Sequence, residues 1–166
     1  DEFLELQSLE RASVDLTGVT VAGAVDLVVR PGTTLRPGES LVLVSNAAAF
    51  EARHPGVRMA GVFDGKLDNA GETITVRDAA GRTMVEVPYD DEGFWPLAPD
   101  LWGYSLVPVD PRADPADPEN WRASAVPGGS PGSADPTPAY GTGMVVVNEV
   151  LANPGANQED AVALLN

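Results

Sequence analysis

The chain has 166 residues, 43% of them hydrophobic, with 17 glycines, 15 prolines, one histidine and no cysteine, enough length and apolar content for one domain with its own core. The absence of cysteine excludes a disulfide framework, a cysteine-ligated zinc site, an iron–sulfur cluster and a thiol nucleophile, and a single histidine excludes a multi-histidine metal site. Twenty-five acidic residues against ten basic give a net charge of −15; this argues against nucleic acid, whose binding needs cations that displace counterions from phosphates, and against anionic membranes.

The charge is unevenly spread. Residues 1–83 hold twelve acids and eight bases, for −4, whereas residues 84–166 hold thirteen and two, for −11. Solubility and colloidal repulsion account for such a balance; a salt-rich habitat and an acidic cation-binding surface are the alternatives. No stretch approaches the roughly 20 apolar residues of a membrane span, so no membrane insertion is expected. The opening, Asp1-Glu2-Phe3-Leu4-Glu5-Leu6, reads as the middle of a strand, as if the segment belonged to a longer protein.

Glycine and proline at this density divide the chain into short strand-like runs, the pattern of an all-β sandwich or barrel. Strands are expected over 3–6, 14–21 and 25–29, the last closed by Arg30-Pro31-Gly32. Residues 33–39 form a turn ahead of Leu41-Val42-Leu43-Val44, whose unbroken apolarity marks a central strand buried on both faces. One helical interval stands out at 46–53: Asn46 caps its first turn and Pro55-Gly56 stops it. His54 ends that helix, where an imidazolium complements the last carbonyls. The alternation over 72–78 meets a second strand over 82–87 across Ala79-Ala80-Gly81, with Ile74 and Val76 toward the core and Thr73, Thr75 and Arg77 toward water. A further strand spans 104–109, where Pro108 implies an edge or a bulge. From 110 to 138 the dipeptide Asp-Pro recurs, and Gly128-Gly129-Ser130-Pro131-Gly132-Ser133 reads as a loop or linker before a new apolar run at 145–150.

Several of these pieces, in this order, resemble one family. They are Glu2-Phe3-Leu4-Glu5-Leu6-Gln7, Val14-Asp15-Leu16-Thr17-Gly18, the run Leu35-Arg36-Pro37-Gly38-Glu39-Ser40-Leu41-Val42-Leu43-Val44, and Gly65-Lys66-Leu67-Asp68-Asn69-Ala70-Gly71-Glu72-Thr73-Ile74. Val87-Pro88-Tyr89-Asp90-Asp91 before Trp95-Pro96, then Asn120-Trp121-Arg122-Ala123-Ser124 and Gly129-Ser130-Pro131-Gly132, complete the set. Residues 1 to about 132 thus resemble a lamin-tail domain of the bacterial branch, a module of nuclear lamins and of many bacterial surface and secreted proteins. The resemblance implies an all-β, immunoglobulin-like β-sandwich with one short helix over residues 1–126. A Pro/Gly/Ser-rich linker, 127–143, would follow it.

Members of the family usually open with a strand of the form V-I-N-E-[IV]-x-x-N-P. Here that strand is absent before Asp1 and occurs at the far end, as Val146-Val147-Asn148-Glu149-Val150-Leu151-Ala152-Asn153-Pro154. Behind it, Ala161-Val162-Ala163-Leu164-Leu165-Asn166 lines up with Phe3-Leu4-Glu5-Leu6-Gln7-Ser8. Residues 144–166 therefore resemble the start of a second copy, and the parent is expected to be a tandem array. A sandwich lacking its first strand exposes an edge that recruits another strand. Val145, Val146, Val147 and Val150 carry that pairing: the strand completes its own domain, inserts into a neighbouring chain to give a dimer or filament, or stays loose.

Catalytic equipment is scarce, and an enzyme is not expected. There is no Gly-x-Ser-x-Gly elbow, and the stretch from Gly61 to Lys66 is one residue short of a phosphate loop with no Ser or Thr after the lysine. Carboxylates are in surplus: the run Asp90, Asp91, Glu92 is a candidate calcium site, since calcium takes several oxygen ligands from one loop. In the Asp-Pro stretch, by contrast, each aspartate is expected to hold its own turn. Trp95 and Trp121 are expected to plug the ends of the sandwich with their indole N–H groups on loop carbonyls; Trp95 and Trp102 are the candidates for ligand stacking. The expected function is a non-catalytic structural or interaction module, extracytoplasmic and part of a larger protein, whose partner is protein, itself included. The alternative is a ligand-binding module for carbohydrate or a divalent cation. No other cofactor is expected.

Overall fold

The computed structural model describes residues 2–136 and, beyond them, the backbone of two strands, Val146–Leu151 and Ala161–Leu165. The chain divides into two compact units, Asp1–Pro136 and Thr137–Asn166. Among the described residues the regular structure is mostly β-strand, and helix is sparse.

In chain order the strands are β1 (Phe3–Gln7), β2 (Val14–Asp15), β3 (Thr20–Gly23), β4 (Val25–Val28), β5 (Thr34–Leu35) and β6 (Ser40–Val44). After helix α1 (Ala47–Arg53) come β7 (Met59–Val62), β8 (Asp64–Gly65), β9 (Glu72–Arg77) and β10 (Thr83–Tyr89). Helix α2 (Ala98–Trp102), β11 (Leu106–Pro108) and β12 (Trp121–Ala123) follow. The second unit contributes β13 (Val146–Leu151) and β14 (Ala161–Leu165), an antiparallel pair.

The first unit is built on two larger sheets. One has five strands in the order β10-β9-β3-β4-β8, the other three in the order β1-β6-β7, with β7 parallel to β6; β2-β5 and β11-β12 are small ribbons. β6 explains how the sheets are held. Leu41, Val42, Leu43 and Val44 are all buried, and successive side chains point to opposite faces. Leu41 and Leu43 join Val21, Val25, Phe63 and Val76 in the main cluster, while Val42 and Val44 pack with Phe50 of α1 and with Phe3, Val57 and Met59 on the other face. The apolar run is thus double-sided because α1 covers what the second sheet does not. Asn46 caps that helix through Oδ1, which accepts from the Ala49 N–H at 3.0 Å.

Several expectations are corrected. The run 14–21 is not one strand: Asp15 Oδ1 accepts from the Thr17 N–H at 2.8 Å and Gly18 adopts φ +75°, so a turn separates β2 from β3. Residues 34–35, read as part of a turn, form β5 and pair with β2. Thr75 does not face water; β9 lies between β3 and β10, and the Thr75 hydroxyl, buried, donates to Glu86 Oε2 at 3.4 Å. The helix is not single: Pro99 opens a second, α2, in its first turn, where proline forfeits no hydrogen bond. Five residues are too few to show a helical period, so α2 leaves no such signal in the sequence.

The stretch 127–136 is a packed loop and not a free tether, so the first compact unit runs past residue 126 to Pro136. Asp135, its side chain only 3% exposed, takes Arg122 Nη1 at 2.5 Å, the Ser130 hydroxyl at 2.8 Å and the Ala125 N–H at 3.1 Å. Farther along, the Gly132 N–H donates to Glu5 Oε2 at 2.6 Å, and Pro131 is buried. The rest of the expected linker, 137–143, lies outside the described residues.

Candidate functional site

Two places in the first unit present groups that its own core does not use. The first is the outer edge of β1. Ser8 donates to Glu39 and accepts from Gly38, and Glu2 accepts from Ser45, so the even-numbered residues turn their backbone groups toward β6. Antiparallel geometry then turns the N–H and C=O of Phe3, Glu5 and Gln7 the other way, and no strand of the first unit pairs there. Residues Val146, Val147 and Val150 fall on β13, which pairs with β14 in a register that slips between Val147 and Glu149; Val145 lies outside the described residues.

The second place is the acidic corner that follows β10. Tyr89 anchors it: its hydroxyl donates to the Asp68 carbonyl at 3.0 Å, and burial, with the charge of Glu72 adding, pushes its pKa up to about 12. Gly71 sits against this anchor at φ +93°, where a Cβ would lie 2.7 Å from Asp90 Cα and from the Tyr89 carbonyl oxygen. Only glycine fits that approach. In the run Asp90, Asp91, Glu92, the Asp90 carboxylate folds back on its own chain, Oδ1 accepting from the N–H groups of Asp91 at 2.8 Å and Glu92 at 2.9 Å. Among the described residues no three carboxylate or histidine side chains converge as a metal cluster would require.

Two of the three tryptophans meet and the third stands apart. Trp121 Nε1 donates to the Pro115 carbonyl at 3.0 Å, and Trp95 packs on it, ring centroids 6.1 Å apart. Trp102, on α2, is 67% exposed. The Asp-Pro loop behaves as expected: Asp110, Asp114 and Asp117 each accept the N–H two residues on, at 2.9, 2.9 and 3.0 Å. One oxygen of each carboxylate, Oδ1, is engaged by the turn it makes.

His54 is not an imidazolium cap. Its ring lies 4.8 Å from Phe50 and 6.1 Å from Phe3; burial, with the adjacent Arg53 charge, lowers its pKa below 6.5. The helix end is closed instead by the His54 backbone N–H, which donates to the Phe50 carbonyl at 2.8 Å.

Sequence reading missed the exposed apolar company of Trp102, namely Phe94, Leu97 and Leu101. Their exposure leaves no signal in the sequence, where a short apolar stretch reads as core. No helix among the described residues is long and apolar enough to cross a membrane. Compared with models of known protein families the chain matches none, and no curated protein matches it.

Proposed function

We propose that the chain is a non-catalytic structural or interaction module, one unit of a tandem array in a larger bacterial extracytoplasmic protein. The fold we assign to it is a lamin-tail-like, immunoglobulin-like β-sandwich. Support for the sandwich comes from the apolar cluster shared by the three- and five-stranded sheets. The observation that carries the function is the outer edge of β1, with which no strand among the described residues pairs, because an open edge of this kind is completed by an added strand. The donated strand contains Val145, Val146, Val147 and Val150, and the acceptor is the open edge of a neighbouring copy, so that chains join by strand exchange.

The test is the solution mass of the full chain by multi-angle light scattering, with calcium and with EDTA. Strand exchange predicts a dimer or larger species that Val147→Pro converts to a monomer, since proline removes a ladder donor. A monomeric wild-type chain overturns the exchange.

The exposure of Trp102 favours one second reading, a ligand-binding module for carbohydrate or a divalent cation such as calcium. It would use Trp95, Trp102 and the carboxylates Asp90, Asp91 and Glu92. A glycan array and a calcium titration separate the two; silence in both favours the structural module.

A further inference from the structure

Nine large apolar side chains stand exposed among the described residues, and four of them fall within 94–102: Phe94, Leu97, Leu101 and Trp102. Leu101 N–H donates to the Leu97 carbonyl at 3.2 Å, so their side chains lie one turn apart on one face of α2. That helix buries none of its residues, and none of the four belongs to either core cluster. Five residues are far too few for a helix to persist on propensity alone. An apolar face of this density marks a surface made to be covered.

Charge selects what covers it. Between Arg82 and Arg112 the sequence has no lysine, arginine or histidine, but six carboxylates: Glu86, Asp90, Asp91, Glu92, Asp100 and Asp110. A second copy meeting this face with its own would set the same acidic stretch against itself, carboxylate against carboxylate, and an anionic lipid surface is repelled in the same way. Leu97 and Leu101 offer a sugar no hydrogen bond, which a carbohydrate site needs to fix orientation. The remaining chemistry is a peptide that is apolar on one side and cationic on the other.

We propose that Phe94, Leu97, Leu101 and Trp102 dock a cationic amphipathic segment of a partner protein. The partner's apolar residues seat on these side chains and its lysines or arginines meet Asp91, Glu92 and Asp100, the carboxylates beside or between them in the sequence. Recognition of this kind is a helix-in-groove or extended-anchor contact with electrostatic steering. It uses a surface apart from the edge of β1 and stands without strand exchange.

The test is calorimetric titration of the full chain with a synthetic peptide that carries leucines and a tryptophan on one helical face and lysines on the other. The same peptide with glutamate for lysine is the control. The lysine peptide binds, and raising sodium chloride from about 50 to about 500 mM weakens it, as screening requires. The double variant Leu101→Ser/Trp102→Ala weakens it at least tenfold, Asp91→Asn/Glu92→Gln weakens it severalfold at low salt, and Val147→Pro leaves it unchanged. No binding by the lysine peptide, equal binding by the glutamate peptide, or undiminished binding by the double variant overturns the proposal. So does self-association that the double variant abolishes, which assigns the face to a second copy. Sedimentation with phosphatidylcholine vesicles, lost in that variant, overturns it in favour of lipid.

Discussion

The segments 41–50 and 94–102 are both rich in large apolar side chains, yet they meet opposite fates. Val44 and Phe50 are fully buried, whereas Phe94 and Trp102 are 80% and 67% exposed. Hydrophobicity of the residue does not distinguish them. What differs is the presence of a second layer: β6 has β1 and β7 beside it, the main cluster under one face and α1 over the other. The segment 94–102 has neighbours enough to hold Trp95 against Trp121, but nothing among the described residues covers α2. The first segment therefore contributes to stability, and the second has binding surface to spare.

The largest expected effect follows from that contrast. Phe50→Ala empties a site enclosed by Val42, Val44 and Phe3 and should cost about 3–5 kcal/mol of unfolding free energy. Leu101→Ala should stay within about 0.5 kcal/mol, as exposed substitutions do. Urea unfolding of the two variants measures both numbers. A Leu101→Ala cost above about 1 kcal/mol would break the comparison, because the side chain would then be covered within the chain itself.

Next in size is the latch at the end of the first unit. Asp135 answers to three donors, from Arg122, Ala125 and Ser130, and Asp135→Ala leaves them without an acceptor, at a cost of about 2 kcal/mol. Burial by itself would raise the Asp135 pKa, but the bonds from Arg122, Ser130 and Ala125 outweigh it and hold the carboxyl below 3.8. A carboxyl lowered in the folded state adds stability above its ordinary value and loses it as pH falls through the lowered one. The wild-type chain should therefore lose more stability on acidification below pH 3.8 than Asp135→Asn does. Equal slopes in urea titrations across that range would show that residues 125–136 are not latched at all.

How much of this was legible depends on distance along the chain. The buried run of β6, the Asn46 cap, the hairpin of β9 and β10 and the turns at Asp110, Asp114 and Asp117 are local, and spacing alone predicts them. Thr75 was misplaced because its burial depends on Glu86 across the hairpin and on β3, not on its own alternation. The loop beyond residue 126 looked like a tether because glycine, proline and serine carry no record of partners such as Glu5, 127 positions away. The exposed face of α2 escaped for the opposite reason. A short apolar stretch reads as core unless the neighbours that should cover it are known to be missing.

The smallest expected effect probes the buried side of the comparison with a single proton. His54 is the chain's only histidine, and its ring packs against Phe50 and Phe3, the same side chains that cover β6. Burial, then the Arg53 charge, disfavours its protonated form and lowers its pKa from 6.5. A histidine lowered in the folded state binds fewer protons there than in the unfolded chain just below pH 6.5, so stability rises with pH. Its contribution is present above 6.5 and is lost as pH falls through the lower folded value. Carboxylates ordinarily titrate nearer pH 4, so the difference between wild type and His54→Gln over about pH 5 to 7 reads the imidazole. The wild-type midpoint in urea should fall slightly as pH is lowered from about 7 to 5, while His54→Gln, which does not titrate, should change less. If both stay flat, the imidazole is solvated in either protonation state, and the outer face of β6 is less tightly closed than the packing of Phe50 implies.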